Sequence, residues 1–230
     1  MRTTDAQRPS GRRTAFEYVQ EELRHRILSG DLRGGTHLTQ AEIAQDLGVS
    51  TTPVREAFRQ LASEGLVSVD KHRGAVVRKP HLDDAEEIFA MRRLLEPYGA
   101  TLAIRRMTAD EISNLGELHS AMVAADSVSE WFSLNRAFHS GLIEGAKSPR
   151  LCATLHGLID STGIYLGLAL QTVARPFQTG NEDHGSILAA IEQRDEEALS
   201  GAVLTHLEHA VLLVREALKE QRIDQEPGSR

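Results

Sequence analysis

The chain has 230 residues, of which 40% are hydrophobic and 26% charged, with 18 glycines and 7 prolines. Such values exclude a disordered, collagen-like or membrane-embedded polypeptide and leave room for one large domain or two small ones. The net charge of −7 is uneven: residues 1–80 carry 13 Lys/Arg against 10 Asp/Glu, and residues 81–230 carry 13 against 23. That split suggests two domains with different partners, the basic one facing a polyanion. A single cysteine, Cys152, cannot form an internal disulfide, so a reducing, cytoplasmic setting is expected. The longest uncharged stretch, residues 161–174, is shorter than the ~20 apolar residues that span a bilayer, so no membrane partner is expected.

Residues 1–13 carry four arginines and no apolar run, and read as a disordered basic tail. Between Thr14 and Ser29, Phe16, Val19, Leu23 and Ile27 recur at helical spacing, and Gly30 is a stop signal. Thr39-Gln40-Ala41-Glu42 is a capping-box pattern ahead of Ile43, Ala44 and Leu47, with Gly48 closing a short helix. A third helix is expected over residues 50–66, its stripe being Val54, Ala57, Phe58 and Leu61, with Pro53 tolerated in the first turn. Two β-branched runs, 67–69 and 75–77, then flank a basic hairpin tip. Helix, short helix, turn, helix and basic hairpin form the order of a winged helix-turn-helix, whose post-turn helix enters the DNA major groove. Arg55 lies opposite Phe58 and Leu61 and is expected to contact DNA; Arg59 follows one turn later, on a phosphate or in solvent. His72 and Arg73 at the hairpin tip are expected to read the DNA backbone.

The runs Ile27-Leu28-Ser29-Gly30-Asp31-Leu32, Leu47 to Phe58, and Glu64-Gly65-Leu66-Val67 closely resemble the DNA-binding domain of GntR-type transcription regulators. The resemblance covers residues 14–78. It implies that Thr51, Thr52 and Arg55 face a pseudo-palindromic double-stranded DNA operator bound by a homodimer, and that Gly74 lets the wing backbone approach the DNA. Thr51 stands where the family commonly has arginine, and Ala41 where some members carry another, so the family's operator sequence does not carry over.

Beyond a linker at 79–81, residues 82–222 show only helical signals, followed by a tail at 223–230. Asp83…Glu86, Thr108…Glu111 and Ser127…Glu130 match the cap-to-N3 spacing, Ser148-Pro149 opens a helix, and Asp195-Glu196-Glu197 places acids at a positive helix end. About six helices are expected, near 82–107, 109–126, 128–145, 149–173, 181–193 and 196–221. The fold class is thus mostly α: an N-terminal winged helix-turn-helix and a C-terminal all-α bundle.

Four polar residues fall on apolar stripes of that bundle: Asn135 and His139 among Trp131, Phe138 and Leu142; His184 ahead of Ile187, Leu188 and Ile191; and His206 between Val203, Ala210 and Leu213. Each imidazole taken singly reads as a hydrogen-bonded core residue, and three that converge would share a metal cation; spacing alone leaves both open. The C-terminal part resembles the FCD ligand-binding domain of the FadR subfamily, in its VanR-like form. In its metal-binding members an Asp or Asn stands four residues before a histidine, a second histidine precedes an I-x-x-A-I-like stretch, and a third lies in the last helix. Asn135, His139, His184 and His206 match this set, which implies a divalent ion, Zn or Ni foremost. The neutral amide of Asn135 makes the site less negative than an Asp would. His209 is the fallback ligand; His119 and His156 match no ligand position.

Residues 90–97 resemble the family's first effector-domain helix, in which an arginine faces the cavity. Arg92 is assigned that place, to bind a small organic acid bidentately; a salt bridge to Glu87 or Glu96 is the competing use. The expected function is a ligand-responsive repressor, not an enzyme. A metal sensor is one alternative. The other, a metal-dependent hydrolase, is disfavoured because HExxH and G-x-S-x-G are absent and no carboxylate is expected beside a ligand histidine. The linker at Arg78-Lys79-Pro80 is the expected conduit between the domains.

Overall fold

A computed structural model describes residues 14–28, 31–70, 74–172 and 177–225. The tail at 1–13, the stop at Gly30, and His72 and Arg73 at the hairpin tip lie outside the described residues.

The N-terminal part contains α1 (Ala15–Leu28), β1 (His37–Leu38), α2 (Gln40–Asp46), α3 (Thr51–Ser63), β2 (Val67–Asp70) and β3 (Gly74–Val77). Thr39 accepts a hydrogen bond from the Glu42 amide and so starts α2, and Gly48, at φ 65°, turns the chain into α3. Val19 and Leu23 of α1 and Val54, Phe58 and Leu61 of α3 are completely or almost completely buried, one shared core. The sheet has the order β1-β3-β2, antiparallel throughout, with Val67 opposite Val77 and Leu38 opposite Ala75. This is a winged helix-turn-helix. The two-residue β1 had no signal of its own; it exists because β3 offers an edge.

The C-terminal part is helical: α4 (Leu82–Arg106), α5 (Ala109–Ala124), α6 (Val128–Gly145), α7 (Pro149–Ser161), α8 (Gly163–Thr172), α9 (Gln178–Glu192) and α10 (Glu196–Gln225). Thr108 and Glu111 form a complete capping box, and Ser127 accepts from the Glu130 amide. Asp83…Glu86 is not a cap, because α4 already begins at Leu82 behind His81, and Asp83 and Asp84 lie inside its first turn.

Three expectations need correction. The single helix expected over 149–173 is two, since Thr162 turns its hydroxyl onto the Ile159 carbonyl and Gly163 packs against another part of the chain, giving seven helices among the described residues where six were expected. The third helix stops at Ser63, short of Leu66, because Gly65 adopts φ 71°. The last helix runs to Gln225, into the stretch read as a tail.

Over Glu196–Lys219, α10 is long and apolar enough to cross a bilayer. Its Leu199, Val203, Leu207, Val211 and Val214 are instead buried in the bundle, where α10 packs along α4, α8 and α9. On the outer side of α4, Met91, Leu94 and Tyr98 recur at i, i+3 and i+7 and are exposed, Leu94 to 78%.

Candidate metal and effector site

Helices α6, α9 and α10 each bring one imidazole to the same point. His139, His184 and His206 are buried, and each offers a ring nitrogen within 4.8 Å of the other two. His184 Nε2 and His139 Nε2 are 3.2 Å apart, while His184 Nδ1 and His206 Nδ1 have no hydrogen-bond partner. Asn135, one turn before His139, is also buried, and its Oδ1 is unpartnered. Burial, reinforced by the neighbouring imidazoles, holds His139 and His184 well below the ordinary imidazole range. Neutral rings keep the lone pairs that a cation needs. Four orphaned or mutually facing buried polar groups are costly in a closed core and suit a divalent ion. The residues present therefore fit the ion that the resemblance implies.

The cluster borders a cavity of about 250 Å³. Its apolar wall includes Phe89, Trp131, Phe132, Ile159 and Leu213; its polar groups include Arg92, Asn135, Thr162, Asp183 and His206. Arg92 is buried; its Nε donates to Glu96 one turn on, Nη1 lies 3.4 Å from Thr162 Oγ1, and the guanidinium carbon sits 5.1 Å from the Phe89 ring centre. Arg92 lines the cavity and is ion-paired to Glu96, and that pair lies inside the protein, not on its surface.

One carboxylate contradicts the sequence reading. Asp183 is buried beside the cluster, with both oxygens 3.0 Å from His209 Nδ1 and Oδ2 3.4 Å from His206 Nδ1, the latter an ion-pair contact and not a hydrogen bond. Burial raises its pKa, but the two imidazoles outweigh burial and bring it below the usual range. His209 thus pairs with Asp183, more exposed than His206 and outside the triad. His119 Nε2 bonds the Asn181 carbonyl, and the Asn181 side chain accepts from Trp131; His156 faces Glu144; neither is one of the three converging histidines.

At the other end of the chain, Thr51, Thr52, Arg55 and Arg59 are exposed along one side of α3, and Val54, Ala57, Phe58 and Leu61 are buried along the other. Gly74, at φ 94°, has a reason internal to the fold: a Cβ there would stand 2.1 Å from the Leu38 carbonyl oxygen.

Residues 87–209 match the FCD domain, and residues 16–77 match the gntR family of bacterial regulatory proteins. The chain belongs to the GntR family of regulators that carry an FCD domain. A transcriptional regulator of Bacillus subtilis, YdhC, is 25% identical over 88% of this chain and 93% of its own. A probable D-xylose utilization operon repressor of Paenarthrobacter nicotinovorans is 28% identical over 85% of this chain and 87% of its own. The solved structure of Escherichia coli McbR/YncC, 24% identical, superposes with a TM-score of 0.70 over 90% of this chain and all of that one, a likeness of fold. The sequence relatives are named as regulators of transcription.

Proposed function

We propose that this GntR-family chain is a cytoplasmic, homodimeric repressor whose hold on a pseudo-palindromic operator is set by a small organic acid bound in the bundle cavity beside a divalent metal ion. The observation that carries the reading is the convergence of His139, His184 and His206, with Asn135, at the edge of a cavity also lined by a buried arginine. The ion, Zn or Ni foremost, would be held by those four residues and would supply a Lewis-acid seat for a carboxylate oxygen. Arg92 takes the acid's other oxygen, exchanging part of its pair with Glu96 for the ligand. Asp183 orients His209 and faces His206 as a neighbouring charge. Phe89, Phe132 and Trp131 exclude water, which strengthens the charged contacts.

Thr51, Thr52 and Arg55 read the operator from α3; Arg59, with His72 and Arg73 of the wing, holds its backbone. The exposed apolar residues of α4 suit a second copy of the chain. Residues 14–78 and 82–222 form the two domains, joined by 79–81.

Metal analysis of purified protein should give one divalent ion per chain, lost in His139→Ala. A screen of small carboxylic acids by thermal shift should find stabilisation only in the metal-loaded form. A site that stays empty against excess Zn and Ni returns the histidines to core hydrogen bonding. Metal alone switching DNA affinity, with no acid required, would favour the metal-sensor reading.

A further inference from the structure

The cavity does not end at the helical domain. Glu64, which closes the C-terminal end of the DNA-reading helix α3, is part of its wall, opposite Thr162 and Gly163 of the α7–α8 break. Glu64 is buried, with its carboxylate held by Arg24 of α1 in two hydrogen bonds, at 2.7 and 3.0 Å, and by Gln20 at 2.8 Å. The backbones of the two domains meet at this point. A Cβ on Gly65 would stand 1.7 Å from the Asp160 carbonyl oxygen, and one on Gly163 would stand 2.4 Å from the Glu64 carbonyl oxygen. A Cβ on Gly167 would strike the Leu28 side chain of α1 at 2.1 Å. Glycines from both sides therefore form a seam with no room for a methyl group.

Thr162 joins this seam to the effector end. Its hydroxyl is 3.4 Å from Arg92 Nη1, and the next residue is Gly163 against Glu64. The geometry points to the DNA-binding domain as a direct wall of the ligand site: occupancy of the cavity is read by the end of α3 through the Thr162-Gly163 break, not relayed through the linker at 78–80. Any movement of Thr162 that follows engagement of Arg92 displaces Gly163, and close-packed backbone cannot absorb the displacement elsewhere. That the cavity holds the effector rests on the function proposed above; the seam does not.

The test uses the full chain, a duplex selected by the wild-type protein from a random pool, and Zn²⁺ as the cavity probe. Gly163 has no positive φ, so Gly163→Ala adds only a methyl group, against the Glu64 carbonyl oxygen and, less closely, the Phe132 ring. It should speed amide exchange over residues 60–66, change the operator Kd at least about fivefold, the lower end of allosteric coupling, and uncouple exchange at 60–66 from Zn²⁺. Gly167→Ala, which meets a rotatable side chain, should do the same more weakly, and Leu28→Val in that background should restore wild-type exchange. Wild-type exchange and affinity in Gly163→Ala would overturn the proposal, as would altered exchange with unaltered affinity. Should Gly163→Ala fail to fold, the Gly167→Ala and Leu28→Val pair decides by the same criteria. If calorimetry shows no Zn²⁺ binding, the metal reading fails, while the metal-free comparison of exchange and affinity still decides the seam.

Discussion

Replacing His184 by leucine should make the metal-free protein more stable, not less. His184 is completely buried, with Nδ1 unpartnered and Nε2 facing His139 Nε2 at 3.2 Å. Leucine is close in volume, so no large cavity opens, and the unmet polar atom, worth about 1–3 kcal/mol, disappears, less about 1 kcal/mol for the partner that His139 Nε2 loses. At about 2–4 °C per kcal/mol for a chain of this size, the net of up to about 2 kcal/mol should raise the metal-free melting temperature by up to about 8 °C. The wild-type chain should instead gain about 2.7 kcal/mol when Zn²⁺ exceeds its Kd a hundredfold, and the variant should gain nothing. The two stability orders therefore cross between chelator and metal. Calorimetric melts in chelator and in excess Zn²⁺ measure this. A variant that melts well below wild type in chelator would show His184 to be a satisfied core residue and refute the reasoning.

Arg55→Ala should weaken binding to a selected operator by about 1–3 kcal/mol with the melting temperature unchanged, read by gel shift at fixed salt. Arg92→Ala should retain operator binding and lose the response to any acid found in the ligand screen; a wild-type midpoint would remove Arg92 from the site. Leu94→Lys, on the exposed face of α4, should convert dimer to monomer in sedimentation, and an unchanged mass would place the interface elsewhere. Burial, followed by the hydrogen bond to Asp84, pushes the Tyr165 hydroxyl up to about 12. The folded chain thus favours the neutral phenol, and this contribution is complete below about pH 10 and is lost as pH rises through about 12. Tyr165→Phe should flatten the alkaline fall in melting temperature over that interval.

The winged helix was legible because its signals are local, an apolar stripe along α1, α2 and α3 and a glycine after α2 and α3; each histidine's place on an apolar face was local too, but that the three meet followed only from the family resemblance. What stayed hidden depends on distant partners. The run 149–173 carries no internal proline, and it breaks at Thr162-Gly163 because Gly163 packs against Glu64, 99 residues away in the chain. Asp183 was passed over although it adjoins His184 in sequence. Neighbours on a helix point about 100° apart, so adjacency to His184 does not place Asp183 at the cluster; α10 brings His206 and His209 to meet it. The pair of histidines one turn apart on α10 was the available signal, since an imidazole outside the triad calls for a carboxylate of its own.

The cavity wall is of two kinds, and this shapes how descendants of the chain can change. Leu170 and Leu213 border the cavity without being part of the glycine seam, whereas Phe132 borders it and would also lie 3.2 Å from a Cβ on Gly163. A lineage that trades Leu213 for a smaller or larger residue alters which molecules fit and leaves the junction with the DNA-reading helix intact. A trade at Phe132 alters fit and junction together, so selection for a new ligand there also acts on the strength of the output. Change in the ligand proposed for this cavity is therefore least disruptive at Leu170 and Leu213, and Phe132 should change last.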